Sequence, residues 1–393
     1  MAKKILIAGA GIGGLTAASC LLKAGHDVQV LEQAAALAEI GAGIQLSANA
    51  MHVLNDLGLG GAISASAVRP AAYVFRLHDT GEMISRFSLA EEHERLNGAP
   101  YNQLHRADLH VLLAAKATEL KKDVIRLNSR IVGFEESAGG VRARLSSGET
   151  LEADLLIGAD GVKSTIRTQL AGADRPTYTG DAAWRLTLPA NRLPQGFMDQ
   201  VMAVWMGPAA HVVCYYLRGG ALLNFVGLVE TDEVSEESWT ARFPWEKLKS
   251  DFAGWHPDIQ TVIDRADKDL CFRWSLYSRP PLTNWSTRRV TMLGDAVHAT
   301  LPYLAQGAAM AIEDGAILAR ALRQSATIED ALQLYQRNRI ERTTRIVKGS
   351  SANRALFHMR DQAELRRAFA ARDEGASRNA WLYSYNPLTV ELV

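Results

Sequence analysis

The stretch Ile5-Leu6-Ile7-Ala8-Gly9-Ala10-Gly11-Ile12-Gly13-Gly14 decides the fold. Its four leading apolar residues, with no polar alternate, read as a parallel strand buried on both faces. Gly9, Gly11 and Gly14 then fall at G-x-G-x-x-G spacing, with Gly13 beside the last of them. Such spacing permits a tight turn, close approach of backbone to a pyrophosphate, and close packing of a helix on a sheet. A helix continues to Ala24, Gly25 stops it, and residues 28–31 form a second strand that ends at Glu32 and Gln33. An acid there is placed for ribose hydroxyls, while the first amides of the helix suit a phosphate, so the unit reads as an adenine-dinucleotide site. A glycine turn that only packs a helix on a sheet is the competing reading. Nothing within this unit separates NAD from FAD.

Outward from it, a loop with Gly41 and Gly43 leads to helices over 49–57 and 107–120, and strands 131–135 and 141–145 are joined by a hairpin turn at 137–140. Between 177 and 276 the texture becomes alternating and aromatic-rich, with strands over 183–188, 202–206, 211–217 and 222–229. That pattern predicts an antiparallel sheet with one face toward a core or ligand. A parallel-type strand returns at 290–293, a helix follows over 306–323, and the chain from 328 onward is mainly helical. Three regions are therefore expected: a nucleotide-binding domain over 1–176 with substrate-side elements around 70–100, an antiparallel substrate domain over 177–276, and a return to the first domain with helices over 277–393.

Lys plus Arg and Asp plus Glu number 43 each among 393 residues, which leaves no global field for nucleic acid or anionic lipid. No stretch sustains the roughly 20 apolar residues of a membrane span, and the N-terminus lacks a secretory h-region. Cys20, Cys214 and Cys271 show neither metal-ligand spacing nor an even disulfide set, so no metal and a reducing cytoplasm are expected. A monomer or homodimer acting on a small ligand fits this composition.

Two further segments carry chemistry, Gly158-Ala-Asp-Gly-Val-Lys-Ser-Thr-Ile-Arg167 and the run Gly294-Asp-Ala-Val-His through Gln306-Gly307-Ala308 to Glu313-Asp314. With the N-terminal turn they resemble the three fingerprints of class A flavoprotein aromatic hydroxylases, nearest the branch of salicylate hydroxylases, 3-hydroxybenzoate 6-hydroxylases and 6-hydroxynicotinate 3-monooxygenases. The resemblance implies an α/β fold: a Rossmann-like FAD-binding domain with an inserted antiparallel-sheet substrate domain and a helical C-terminus. It implies bound FAD, transient NADH or NADPH, and a C4a-hydroperoxide formed with O2 that hydroxylates an aromatic ring. It also implies cofactor contacts from Asp160, Asp295, Arg106, Gln45, and the helix start at Gly307 and Ala308. A helix beginning there presents unpaired amides and partial positive charge, which suit a reduced, anionic flavin.

Ring attack requires a phenol to be deprotonated or nearly so, about three units below its ordinary pKa, so a base should line the substrate pocket. His211 and Tyr215 sit four apart on one strand and so share a face. His211 is the candidate base and Tyr215 the candidate partner of the substrate hydroxyl, against the plainer reading of a surface histidine and a half-buried tyrosine. His298 reads as a loop-ordering residue, Arg185 as an exposed strand arginine or a carboxylate partner, and the tail Trp381, Tyr383 and Tyr385 as packing. Ala299, Tyr216 and Ser47 depart from family patterns, the last where hydroxynicotinate enzymes carry a histidine. The expected activity is hydroxylation of a salicylate-like acid, with or without decarboxylation. Alternatives are 3-hydroxybenzoate, 6-hydroxynicotinate, a larger polycyclic substrate, a flavin-binding redox sensor, or a plain NAD dehydrogenase.

Overall fold

A computed structural model describes residues 2–37, 42–235, 241–371 and 379–393, so Gly41 of the glycine loop lies outside the described residues. One layer is a five-stranded parallel sheet in the order Val290–Met292, Leu155–Gly158, Lys4–Ala8, Asp27–Leu31, Ile125–Arg126. Ile5, Leu6 and Ile7 are inaccessible within it, as an apolar run covered on both faces demands. The helix Ile12–Lys23 packs beside Arg106–Leu120 and Gly307–Gln324. A hairpin, Ile131–Glu136 with Val141–Leu145, closes where the Ser137 amide donates to the Gly140 carbonyl at 2.9 Å, and Thr150–Ala153 extends it to three strands.

The other layer is a seven-stranded sheet ordered Phe272–Ser278, Thr177–Pro189, Leu222–Glu230, Ala210–Leu217, Met202–Gly207, Ala72–Leu77, Met83–Ser88. Its pairs are antiparallel except Met202–Gly207 against Ala72–Leu77. The chain turns back at Leu77 into the antiparallel edge strand Met83–Ser88, and Met202–Gly207 comes to lie parallel to Ala72–Leu77 only after a long connection, as parallel neighbours need. Two of its seven strands thus come from 72–88, outside the span that carries the alternating texture. Alternation holds in detail: Val212, Cys214 and Tyr216 join a core with Trp184, Phe225, Leu248, Phe252 and Ile259, while the residues between them face the other way.

The thirty-residue helix Ile328–Phe357, about 45 Å long at 1.5 Å per residue, ties the layers together. Near its start the Tyr335 hydroxyl donates to the Met292 carbonyl of the parallel sheet at 3.0 Å. At its end Phe357 packs on Phe75 of the seven-stranded sheet, ring centroids 5.9 Å apart. Among the described residues no helix is long and apolar enough to cross a membrane, and all three cysteines are buried and free.

Candidate active site

Three motifs converge at one edge of the parallel sheet because each strand end is bonded to the next. The Gly9 amide donates to Leu31 at 2.8 Å, Ala159 to Ala8 at 2.9 Å, and Leu293 to Gly158 at 2.9 Å. Gly9 adopts φ +102°, and a Cβ there would lie 2.5 Å from the Ala159 carbonyl oxygen. A Cβ on Gly14 would meet the Gly9 oxygen at 2.1 Å, so only hydrogen fits at either position. At Gly11, by contrast, a Cβ would meet no atom within 4 Å, and that open side is where a ligand can approach the backbone. The Glu32 carboxylate accepts from the Ala10 amide at 2.9 Å and the Ala34 amide at 2.8 Å, binding strand end to glycine turn. Gln33 follows it and is exposed. Asp160 caps the helix Thr165–Ala171 through one oxygen, 2.8 Å from the Thr165 amide, while its buried Oδ1 meets no partner. Arg167 donates to the carbonyls of Val162 at 2.7 Å and Ala296 at 3.1 Å, stapling the second motif to the third.

Between the two sheets lies a cavity of about 370 Å³. Gly11, Gly13, Gly43, Gln45, Arg106, Asp295, Gly307 and Ala308 line one side; Arg185, His211, Tyr215, Trp274 and Tyr303 line the other. Nine of the residues proposed from sequence therefore share one space (Gly11, Gly13, Gln45, Arg106, Asp295, Gly307, Ala308, His211 and Tyr215). Gly9, Gly14, Glu32 and Asp160 instead shape its glycine edge from behind. Asp295 opens the short helix Asp295–His298 after Gly294, whose φ of 60° makes the turn. Gln306, at the start of Gly307–Gln324, donates to Ser47 Oγ at 3.0 Å, and Ser47 donates to Asn49 at 2.6 Å. Ser47 is thus a buried brace for that helix start.

Behind the same helix sits a closed charge network. Asp314 takes the Gly294 amide at 2.9 Å, His298 Nε2 at 2.6 Å and Arg339 Nε at 2.7 Å; Glu313 takes Arg339 at 2.7 Å and Arg342 at 2.8 Å. Burial alone would raise the Asp314 carboxyl, but His298 and Arg339 override it and hold the group at about 2. His298 orders the loop, as its place in the sequence implied. Arg339 and Arg342 lie on the next helix and carry no local signal of this role.

On the other wall, His211 is 1% exposed, so the surface reading is corrected. Its Nδ1 lies 2.8 Å from His358 Nε2, and burial, then the neighbouring His358, push its pKa well below the ordinary value. The Tyr215 hydroxyl bonds Gln45 and packs on Gly43, where a Cβ would stand 2.3 Å from it. Burial raises the Tyr215 pKa. Arg185 is likewise not exposed: it is 7% accessible, with its guanidinium 4.9 Å over the Trp274 ring. The tail packs as expected, Arg345 over Trp381 at 3.8 Å, Arg342 over Tyr385 at 3.7 Å and Tyr383 against Tyr101. His358 was invisible to sequence reasoning, being 147 residues from its partner and just past a helix end.

A family model described as FAD binding domain matches residues 2–350. The chain is 37% identical over 390 residues to a 3-hydroxybenzoate 6-hydroxylase of Polaromonas naphthalenivorans strain CJ2, covering 97% of this chain and 96% of that protein. It is 33% identical over 398 residues to a 6-hydroxynicotinate 3-monooxygenase of Pseudomonas fluorescens, covering 99% and 97%. The fold is similar to that of Klebsiella pneumoniae HpxO complexed with FAD and uric acid, with TM-score 0.85, 26% identity, and 98% and 96% of the two chains covered.

Proposed function

This chain belongs to the FAD binding domain family as an FAD-dependent aromatic monooxygenase; on that premise we propose that it hydroxylates a small aromatic acid bearing a ring hydroxyl. The carrying observation is the single cavity that joins the glycine turn and the helix start at Gly307 to His211, Tyr215 and Arg185. The open side of Gly11 and the unpartnered Asp160 oxygen fit a bound dinucleotide. Gly11 and Gly13 would receive its pyrophosphate and Glu32 its ribose, with Gln45, Arg106, Asp295 and the amides of Gly307 and Ala308 around the flavin. FAD held there, with NADH or NADPH as reductant, would supply the redox chemistry that turns O2 into an electrophilic oxygen donor.

The protein's own groups prepare the ring. A neutral His211 accepts the ring hydroxyl proton, which makes the ring electron-rich. Tyr215 and Gln45 orient that hydroxyl, and Arg185 pairs with the carboxylate through two parallel N–H donors. We place 3-hydroxybenzoate ahead of salicylate and 6-hydroxynicotinate, because the 37% identical relative carries that name over its whole length.

A panel of hydroxybenzoates and hydroxypyridine carboxylates tests the reading. We expect 3-hydroxybenzoate to accelerate NAD(P)H oxidation and emerge with one added oxygen, and loss of CO2 from salicylate would mark the decarboxylative variant. His211→Ala is expected to cut product formation by about 10²-fold or more at near wild-type FAD content. Absence of oxygenated product from every acid in the panel defeats the proposal.

A further inference from the structure

His211 is buried, so a proton it takes from the substrate needs a way out. We propose that His358 and Glu230 are that way: a relay running from His211 through the His358 ring to the Glu230 carboxylate and solvent. The inference rests on His211 being the base and adds two residues that act behind it.

Three distances define the path. His211 Nδ1 lies 2.8 Å from His358 Nε2, and His358 Nδ1 lies 3.2 Å from Glu230 Oε1. Glu230 is 29% exposed and bonded at 3.2 Å to Arg360, itself 72% exposed. The exposure therefore rises stepwise along the chain of bonds, from a closed ring to open solvent.

The carboxylate at the outer end sets the tautomers. Glu230 can only accept, so His358 carries its proton on Nδ1 and offers Nε2 as acceptor. His211 then donates from Nδ1, which leaves its Nε2 without a proton and ready to take one. When the substrate O–H bond breaks, its proton joins His211 Nε2; the Nδ1 proton passes to His358 Nε2, and the His358 Nδ1 proton passes to Glu230 and then water. The same hops in reverse return a proton to the ring oxygen as the hydroxylated product regains aromaticity, and both rings recover their starting tautomers. No proton is stored and no other reactant is needed.

The surroundings favour transfer over metal binding. Asp181, Glu230 and His358 could be read as a metal trio, since one ligand atom of each lies within 4.8 Å of the others. However, Asp181 already accepts from Arg354 at 2.8 Å and from the Tyr303 hydroxyl at 2.7 Å, so both its oxygens are committed. The groups facing His358 are then two carboxylates, Asp181 and Glu230, two guanidiniums, Arg354 and Arg360, and the neutral His211 and Tyr303. Burial, helped by Arg354, keeps His358 neutral at rest against the pull of Asp181 and Glu230, and those carboxylates steady the positive charge while a proton passes.

The decisive variant is His358→Gln in the FAD-loaded enzyme. Glutamine can accept from His211 and donate to Glu230, so it keeps the bonds while being unable to pass a proton. Stopped-flow absorbance follows formation of the 3-hydroxybenzoate phenolate on binding. We expect it to slow by about 10²-fold at neutral pH, with KM and FAD content within about twofold of wild type and kcat climbing steeply toward alkaline pH. Glu230→Gln, at a half-exposed site, should slow it less. Added imidazole should restore part of the rate in His358→Ala. A wild-type phenolate rate and pH profile in both His358→Gln and Glu230→Gln overturns the relay. If His211→Ala also leaves phenolate formation unchanged, the fault lies with the base itself, whereas a slow His211→Ala beside a normal His358→Gln removes the relay alone.

Discussion

The network behind the helix Gly307–Gln324 is closed to solvent, whereas the one behind His211 opens to it by degrees. Glu313, Asp314 and Arg339 are each 0% exposed, and among the described residues they bond one another, His298, Arg342, Asn49 and the backbone of Gly294 and Met310. On the sheet side, exposure rises from 1% at His211 and 4% at His358 to 29% at Glu230. A sealed set of opposed charges has one low-energy arrangement, so it fixes the loop that carries Asp295 and the helix start. A graded set offers a proton successive partners that lead toward solvent, which is what the proposed relay uses. The same residue types therefore serve shape in one place and transfer in the other, and burial decides which.

The largest effect that can break this comparison is Asp314→Ala. It strips the acceptor from the Gly294 amide, His298 and Arg339 at once, and leaves a buried guanidinium half-paired. The expected cost is about 3–5 kcal/mol, read from denaturant midpoints, together with loss of FAD on gel filtration. Glu230→Gln, removing a charge from the graded network, should shift the midpoint by about 1 kcal/mol or less. Equal destabilisation by the two variants would show that burial does not separate them.

A second variant probes where the two walls touch. Gly43→Ala would thrust a methyl to within 2.3 Å of the Tyr215 hydroxyl, which must swing away from Gln45. A displacement of about 1 Å at an orienting group costs up to about 10²-fold in kcat, with little change in melting temperature or FAD content. Wild-type turnover in Gly43→Ala would remove Tyr215 from the positioning role.

What the chain disclosed about itself follows the range of each interaction. The glycine turn, Glu32 and the helix start near Gly307 were legible from local spacing, whereas Asp295 was singled out only through the family resemblance. The pairing of His211 with Tyr215 was legible because a strand repeats every two residues. His358 and Arg339 were not, since each is recruited by tertiary contact across a long separation, and for 72–88 the substrate side was expected but not its two strands. Burial of Arg185 escaped for a related reason: a strand arginine is usually exposed, and only the facing wall of the cavity shows why this one is not.

Acid titration supplies the smallest and sharpest contrast. His211 and His358 are held neutral chiefly by burial, both below the ordinary 6.5, so the unfolded chain binds more protons than the folded one as pH drops beneath 6.5. Their contribution to stability is complete above that value and declines on acidification, by at most roughly 1.4 kcal/mol per pH unit for each ring that stays neutral. The Asp314 carboxyl behaves otherwise: held at about 2 against an ordinary 3.8, its stabilising share persists through mild acid and disappears only as pH falls through about 2. Between pH 7 and 5, then, the graded network should loosen while the closed one does not. Denaturant midpoints for wild type and for His358→Gln test this, with the fall in stability expected to be shallower in the variant because one titrating ring is gone. An identical slope in both would mean that the acid sensitivity arises elsewhere, for example at His93, which burial holds at about 4.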